Sequence, residues 1–295
     1  FHIIEIVGIC RQYWCNSRLQ KGRTMTKIIA ELSMNFLGDM GLAKEMVQAA
    51  AESGADYAKV QTWEVGRLVP GKWDTDGRKE DYIKSELSNK KCVQLVRFCE
   101  DAGIKFLSSC FSELDLYPLR QYSNEVKIPG PESSNVPLVE KSIEMFDTVY
   151  LSTGASNLDE FARYVKFVGN VYLMHCVSCY PCPDEYVNMP RMLLFKEMTD
   201  KFGYSGHSDD IWDAILAISH GAKVIEKHFT TDRNLPFKDN KFSILPEDLA
   251  AIRKYADVHD KMMIDRGHDC QEIEMPVRTE YARRWCGGIN EKLRF

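Results

Sequence analysis

The chain has 295 residues, 44% hydrophobic and 27% charged, which is enough to bury a sizeable core. Its formal net charge of −5, with both signs interspersed, argues against general nucleic-acid binding, which needs a basic face. No apolar run is long enough to cross a bilayer, so the sequence predicts no membrane partner.

The ten cysteines are scattered and do not have the spacing of a disulfide scaffold. Cys110 and Cys176 lie in apolar runs that indicate strands. We therefore interpret the cysteines as reduced, buried thiols of a cytoplasmic protein. The organised pattern begins at Met25, so residues 1–24 are predicted to be an N-terminal extension outside the fold. We predict a single domain over residues 25–265 and a C-terminal tail over residues 266–295.

From Lys27 onward, short β-branched runs alternate with amphipathic helical patterns. The predicted strands are Lys27–Leu32, Tyr57–Thr62, Lys105–Cys110, Glu125–Gly130, Thr148–Gly154, Val171–Cys176, Phe202–Ser208 and Lys223–Thr230. The clearest helical patterns are Gly41–Ser53, Lys90–Ala102, Leu158–Val168, Asp210–His220 and Pro246–Met262. The longest irregular stretch is Trp63–Asn89, after the second strand. Gly54, Gly103 and Gly221 are predicted to end helices in left-handed conformation.

Eight strands, each followed by a helix, predict an α/β fold with a parallel sheet closed into a (β/α)8 TIM barrel. An open doubly wound sheet is the alternative. Its usual glycine fingerprint is missing after the first strand, where Gly38–Gly41 reads "GDMG". In the barrel, the irregular stretch after the second strand would overhang the C-terminal face.

The eighth predicted strand, "KVIEKHFT", carries polar residues on a face that should be buried. Side chains alternate along a strand, so Val224, Glu226 and His228 lie on one face. In a barrel, catalytic groups project from the C-terminal ends of the strands. We therefore expect Glu226 and His228 to point into the mouth of the barrel.

The same spacing of two residues recurs on other predicted strands. Lys59 and Gln61 share a face of the second strand, and Ser205 and His207 share a face of the seventh. Further polar residues late on strands are Glu31, Ser108 and Lys127. We expect this whole set to converge on one mouth.

Each of these features has a second interpretation. One histidine on a strand is more often structural than a ligand, but two on neighbouring strands can share a divalent ion. Lys59 and Lys127 either pair with Glu31 and Glu132 or bind an anionic ligand. The three cysteines of "HCVSCYPCP" have cluster-like spacing but no obvious fourth ligand, so a stiff proline loop is the favoured interpretation.

Six segments resemble, in order, the signature segments of the sialic acid synthase family. They are "IIAELSMNFLGDMGLAKEMVQAAAESGADYAKVQT", "VKIPGPESSNVPLV", "LSTGASNLDE", "LMHCVSCYPCP", "GYSGHS" and "VIEKHFTTD…DNKFSILPEDL". The resemblance runs from about Lys27 to Leu249. It implies condensation of phosphoenolpyruvate with an N-acylated amino sugar to give a nonulosonic acid. Family members usually carry a further antifreeze-like domain, and we expect this sequence to be the barrel without it.

The resemblance also implies roles for the phosphoenolpyruvate and metal residues. His207 and His228 would bind a divalent metal, Mn²⁺ or Mg²⁺. Lys59 and Lys127 would hold the carboxylate and phosphate of phosphoenolpyruvate. The hydroxyl groups that would help them are Ser108, Ser178 and Ser205.

For the sugar, the resemblance implies that Glu31 and Glu132 act as acid/base groups or contact sugar hydroxyls. The residues implied to line the sugar site are Gln61, Tyr180, Glu226 and Asp239, with Ser152 beside them. The sequence departs from the usual family pattern at Phe36, Gly206 and Gly130. The acceptor sugar and a homodimer both stay open.

In the implied mechanism, the metal polarises the aldehyde of the open-chain sugar and the methylene carbon of phosphoenolpyruvate attacks it. Water then adds at the neighbouring carbon and phosphate leaves by C–O cleavage. Two alternatives remain: a Schiff-base aldolase that uses Lys127 or Lys59 as nucleophile, and a non-catalytic barrel that binds a sugar phosphate.

Overall fold

The computed structural model of the chain describes residues 26–166 and 169–282. Its eight parallel strands form a closed barrel in chain order, and the first strand pairs with the second and the eighth. The strands are β1 (Lys27–Ser33), β2 (Tyr57–Thr62), β3 (Lys105–Cys110), β4 (Glu125–Ile128), β5 (Thr148–Ser152), β6 (Val171–His175), β7 (Phe202–Gly206) and β8 (Val224–His228). The predicted (β/α)8 TIM barrel is confirmed. The predicted extension over residues 1–24 lies outside the described residues.

The helices lie between the strands or follow the last strand. They are α1 (Met40–Glu52), α2 (Arg78–Ser85), α3 (Asn89–Ala102), α4 (Glu113–Arg120), α5 (Val136–Met145), α6 (Leu158–Ala162), α7 (Met189–Met198), α8 (Trp212–Ser219), α9 (Pro246–Met262) and α10 (Met275–Glu280). Gly54, Gly103 and Gly221 have φ of +89°, +75° and +95°, so the predicted left-handed helix stops are confirmed. No helix within the described ranges is both long and apolar enough to cross a membrane.

The stretch Trp63–Asn89 is not irregular throughout, so that prediction is wrong. It contains α2 and two 3₁₀ turns, Val65–Arg67 and Lys72–Asp74. Helix α2 has only eight residues, too few for a helical period to stand out in the sequence. Trp63 packs edge-on against Tyr82, with ring centres 5.8 Å apart, which orders the start of this stretch.

Contacts within the chain divide the described residues into a barrel unit that ends at Asp260 and a second unit that begins at Lys261. In the second unit a 3₁₀ turn, Glu272–Glu274, leads into α10.

One apolar layer fills the barrel interior between its two ends. Its members are Ile29, Tyr57, Leu107, Tyr150, Met174 and Val224, all at most 2% exposed. Because side chains alternate, the residues two positions further along these strands also point inward, on the C-terminal side of this layer. These inward residues are Glu31, Lys59, Ser109, Ser152 and Glu226. The strand pattern therefore creates a buried polar chamber at the C-terminal end.

A buried ion pair on the outer side of β8 ties the barrel to α8. The Lys227 ammonium donates to both carboxylate oxygens of Asp213, at 3.0 and 2.8 Å, and to the Ser208 carbonyl at 2.8 Å. The Tyr204 hydroxyl donates to the same carboxylate at 2.9 Å. The pair thus fixes β8 and the segment after β7 against one helix.

Replacing Asp213 by alanine should lower the free energy of unfolding by about 3–5 kcal/mol, because Lys227 would keep a buried and uncompensated charge. Urea denaturation followed by circular dichroism measures this loss. Asp257→Ala is the matched control, since the Asp257 side chain is 40% exposed and its pair with Arg253 on α9 should contribute at most about 1 kcal/mol. Equal losses in the two variants would contradict the assignment.

Candidate active site

Four charged side chains meet in the C-terminal chamber, and each is at most 5% exposed. Glu226 Oε1 accepts a hydrogen bond from Lys127 Nζ at 2.9 Å and lies 3.5 Å from Lys59 Nζ. Lys59 also pairs with Glu31 and donates to Ser109 Oγ at 2.8 Å. Two ammonium groups therefore converge on one carboxylate oxygen inside the barrel.

The environment shifts the titration of this cluster strongly. Burial alone would raise the pKa of Glu226, but Lys127 and Lys59 outweigh it and lower that pKa to about 2. Burial lowers the pKa of Lys59 to about 7, against the opposing effect of Glu226. Glu226 is therefore a fixed anion at neutral pH, whereas the Lys59 amine can gain or lose a proton there.

Two imidazoles stand at the rim of the chamber. His207 directly follows β7 and His228 ends β8, and their ring centres lie 5.5 Å apart. His207 Nδ1 lies 2.8 Å from the Val177 carbonyl oxygen, so Nδ1 carries the proton and Nε2 keeps its lone pair. His228 Nδ1 is buried with no hydrogen-bond partner among the described residues.

Both imidazoles are neutral at neutral pH, which is the form that binds metals. Burial lowers the pKa of His207 to about 4. Burial, followed by the neighbouring His207 and Lys59, lowers the pKa of His228 well below its usual range.

The spacing of the rings fits one shared ion. With bonds of about 2.1 Å, each ring centre lies roughly 3.2 Å from the ion, so rings that share it are at most about 6.4 Å apart. In the part of the chain that the structure describes, no group of three His, Cys, Asp or Glu residues is placed to hold an ion. An ion here would have two imidazole ligands and open positions for water or substrate oxygens.

Predicted sugar-site residues lie beside the imidazoles. The Tyr180 ring packs over His207 with ring centres 4.1 Å apart. Asp239, on the 3₁₀ helix Lys238–Lys241, has an oxygen 3.9 Å from His228 Nδ1. Gln61 Nε2 lies 3.4 Å from Glu31 Oε1, so the amide borders the charged cluster. The structure therefore brings these side chains together around one mouth.

Three predicted serines also border the chamber. Ser205 Oγ donates to Glu226 Oε1 at 3.2 Å. Ser152 points inward from the end of β5, and its buried hydroxyl has no hydrogen-bond partner among the residues described. Ser178 lies on the exposed loop after β6, where its Oγ packs close to Gly154. Ser152 Oγ and Glu226 Oε2 are thus buried polar atoms without a hydrogen-bond partner among the described residues, and a bound ligand would supply one.

The placement of Ser108 in the mouth is wrong by one residue. Leu107 belongs to the inner apolar layer, so Ser109 points inward and Ser108 points outward between the strands and helices. The Ser108 hydroxyl lies 2.7 Å from Thr62 Oγ1 and 3.3 Å from the Val60 carbonyl. Ser109, which was not selected, is the serine that contacts Lys59. Phe106 and Leu107 are adjacent, apolar and buried, so the sequence carried no signal that could decide this register.

The suggested pairing of Lys127 with Glu132 is also wrong, because the partner of Lys127 is Glu226. Glu132 ends a 3₁₀ turn after β4 and accepts from the Asn135 side chain at 2.9 Å, next to the start of α5. The suggested pairing of Lys59 with Glu31 is confirmed.

Comparison with known proteins shows the family to which the chain belongs. Residues 46–266 match the family model described as NeuB family. The chain belongs to the NeuB family. It is 33% identical to N,N'-diacetyllegionaminic acid synthase of Campylobacter jejuni over 247 residues, which cover 77% of this chain and 74% of that protein. It is 34% identical to the synthase of the same name from Legionella pneumophila, over 89% of this chain and 80% of that one.

A solved structure extends this NeuB-family relationship. The N-acetylneuraminic acid synthetase of Leptospira borgpetersenii superimposes with a TM-score of 0.77 and 26% identity, covering 88% of this chain and 93% of that one. The resemblance to sialic acid synthases is therefore confirmed. Since the related proteins are named synthases, this NeuB-family chain is an enzyme of that kind.

His175 lies outside the C-terminal chamber, and it should make the stability of the fold depend on pH. It points outward from β6, and its Nε2 lies 2.7 Å from the Val187 carbonyl oxygen. Burial lowers its pKa to about 4, so the unfolded chain binds a proton first as the pH falls. The stabilisation from His175 is complete above pH 6.5 and is lost as the pH falls to 4.

We expect the free energy of unfolding of the wild type to fall by about 3 kcal/mol more than that of His175→Phe between pH 6.5 and 4. Urea denaturation at several pH values gives both curves. Parallel curves for the two proteins would show that His175 titrates normally in the fold.

Proposed function

We propose that this enzyme condenses phosphoenolpyruvate with an open-chain N-acylated amino sugar, similar to N-acetylmannosamine, to give a nonulosonic acid and phosphate. The observation that carries this proposal is the convergence of Lys59 and Lys127 on one buried carboxylate oxygen beneath two neutral imidazoles. A substrate with a carboxylate and a phosphate needs at least two cations in a chamber of this kind. The names of the relatives, which are synthases of legionaminic and neuraminic acids, support the same product class.

Phosphoenolpyruvate would bind by exchange of ion-pair partners. Its anionic groups would take the Lys59 and Lys127 ammonium groups that Glu226 now holds. The hydroxyls of Ser152 and Ser205 would donate to the same anion, and Ser178 would reach it from the loop. Glu226, released from both lysines, would then accept a hydroxyl of the sugar.

His207 and His228 would hold the divalent ion, Mn²⁺ or Mg²⁺. When bound, such an ion supplies Lewis-acid polarisation of an aldehyde oxygen. The neutral imidazoles, the shared rim position and the buried Nδ1 of His228, which has no hydrogen-bond partner in the described part of the chain, all support this role.

The reaction forms one C–C bond and one C–O bond to water, and it breaks the C–O bond to phosphate. The methylene carbon of phosphoenolpyruvate would attack the aldehyde carbon, and the aldehyde oxygen would take up a proton. Water would add at the neighbouring carbon and phosphate would leave. Glu31 would accept the proton of that water. Its carboxylate lies in the chamber beside Lys59 and accepts a hydrogen bond from the Ser33 amide at 2.7 Å, which supports this role.

A phosphate-release assay tests the proposal. The purified chain is incubated with phosphoenolpyruvate, Mn²⁺ and a panel comprising N-acetylmannosamine, its 6-phosphate and a di-N-acylated diaminohexose. We expect phosphate release that depends on one of the sugars and stops on addition of a chelator. Release that is independent of every sugar, or no release at all, would contradict the proposed function.

The lowered pKa of Lys59 favours one second candidate, a Schiff-base aldolase or lyase. An amine that loses its proton near neutral pH is the nucleophile such enzymes need. Against it, Lys59 lies between Glu31 and Glu226, which stabilise the charged form. Borohydride reduction in the presence of pyruvate separates the two: a covalent adduct on Lys59 supports the lyase, and its absence supports the synthase.

We also propose that the enzyme acts in the cytoplasm. The described cysteines are free thiols, and burial raises the pKa of Cys92, Cys99 and Cys110 above the usual value, so these three are unreactive. A homodimer remains a prediction from the sequence.

A further inference from the structure

Ser33 occupies a strained position at the end of β1. The register between β1 and β2 shifts between Glu31 and Ser33, and Ser33 has a φ of +48°. A residue with a side chain adopts this left-handed conformation only when its surroundings hold it there. Ser33 is 3% exposed, so its hydroxyl faces other buried groups.

The contacts of Ser33 explain what holds it. Its hydroxyl donates to Asp239 Oδ2 at 3.0 Å and accepts from Gln61 Nε2 at 3.1 Å. Its backbone amide donates to Glu31 Oε1 at 2.7 Å. One residue that the sequence analysis did not select therefore joins three predicted site residues from different parts of the chain.

The turn after β1 and the segment that carries Asp239 are also held by hydrogen bonds that do not involve Ser33. The Asn35 side chain donates to the Phe229 carbonyl at 2.8 Å and to Ser243 Oγ at 3.0 Å. The Asn240 side chain donates to the Asn35 carbonyl at 3.2 Å. The turn after β1 and the segment that carries Asp239 are thus held together, and Ser33 cannot leave its place without disturbing both.

We propose that Ser33 is a positioning residue that sets the binding geometry of the acceptor sugar. It engages the Gln61 amide nitrogen, whose other contact is Glu31, so the Gln61 carbonyl oxygen is turned to accept a hydroxyl of the sugar. The Ser33 hydroxyl also donates to Asp239 Oδ2 at 3.0 Å. The same carboxylate oxygen lies 3.9 Å from His228 Nδ1. This inference rests on the proposed function, because it assumes that Gln61 and Asp239 meet the sugar.

The test compares two variants at the same position. Ser33→Ala removes the hydroxyl and keeps the strained backbone, whereas Ser33→Gly removes the hydroxyl and relieves the strain. We expect both to raise the KM for the acceptor about tenfold, since each loses a hydrogen bond to a charged group, and to leave the KM for phosphoenolpyruvate unchanged. We expect the glycine variant to melt at least about 2 °C above the alanine variant.

Asn188→Gly is the matched control, because Asn188 is exposed, has a φ of +54° and precedes α7 far along the chain from these contacts. It should keep both KM values. An unchanged acceptor KM in the two Ser33 variants, an equal rise for both substrates, or a glycine variant that recovers wild-type kinetics would overturn the positioning role. Wild-type enzyme that shows no acceptor-dependent phosphate release defeats the proposed function itself, and the inference fails with it.

Discussion

Alanine in place of His207 or His228 is expected to lower kcat/KM about a thousand-fold or more, because each variant leaves a single imidazole for the proposed metal ion. The ring centres are 5.5 Å apart, so both rings can reach one ion, and the described residues contain no group of three His, Cys, Asp or Glu side chains placed to hold it. Loss of one ligand from a pair should weaken Mn²⁺ binding far more than loss of one from a set of four.

Two measurements check this prediction separately. Electron paramagnetic resonance of free Mn²⁺ gives the number of ions bound by each variant, and phosphate release gives the activity. Circular dichroism should show that both variants keep the fold. His220→Ala is the control imidazole, since His220 caps the end of α8 and its ring contacts the Leu216 carbonyl at 2.8 Å. Near-normal activity of either rim variant at low Mn²⁺ would exclude its histidine as a metal ligand.

Replacing Lys127 by alanine is expected to raise the KM for phosphoenolpyruvate roughly 10–150-fold, the range for loss of a hydrogen bond to a charged group. The Lys127 ammonium is 2% exposed and its partner is Glu226 Oε1, so the variant also leaves Glu226 with Lys59 alone. The KM for the acceptor sugar should change by at most about twofold, because the proposed role of Lys127 is to bind the anion.

Steady-state kinetics with each substrate varied in turn measures both constants. Lys27→Ala is the matched control: Lys27 also points into the barrel, but at the opposite end, where its ammonium contacts the Tyr150 hydroxyl at 3.0 Å. The control should keep both KM values. Equal increases for phosphoenolpyruvate and sugar in Lys127→Ala would count against an anion-binding role and favour a general loss of site structure.

The polar pairs at spacing two were predictable because alternation along a strand is local. Glu226 and His228 lie on the same face of β8 whichever elements pack against that strand. Lys59 and Gln61 likewise lie on the same face of β2. An acid, a base or an imidazole on an otherwise apolar strand is costly to bury unless it has a partner. The sequence could therefore indicate that these side chains meet in one chamber.

The alternation of side chains along a strand does not determine which of the two faces points into the barrel. Strand β3 is the example, because its inward serine was assigned wrongly. Ser108 and Ser109 are adjacent serines, and only the packing of Leu107 in the inner layer makes Ser109 the inward one. The partner of Lys127 was equally undetermined, because Glu132 lies five residues away in the chain and Glu226 lies across the barrel.

The sequence by itself determined the eight-strand barrel and the residue types around the mouth, because strand alternation and helix stops are local properties. Its six signature segments indicated the family by resemblance. Only the tertiary structure decided the pairings inside that mouth. The bond of Ser33 to Asp239 and the pair of Lys227 with Asp213 join elements far apart in the chain. Closure of the barrel, with its register and its bulge on β1, sets these distances, and no local pattern encodes them.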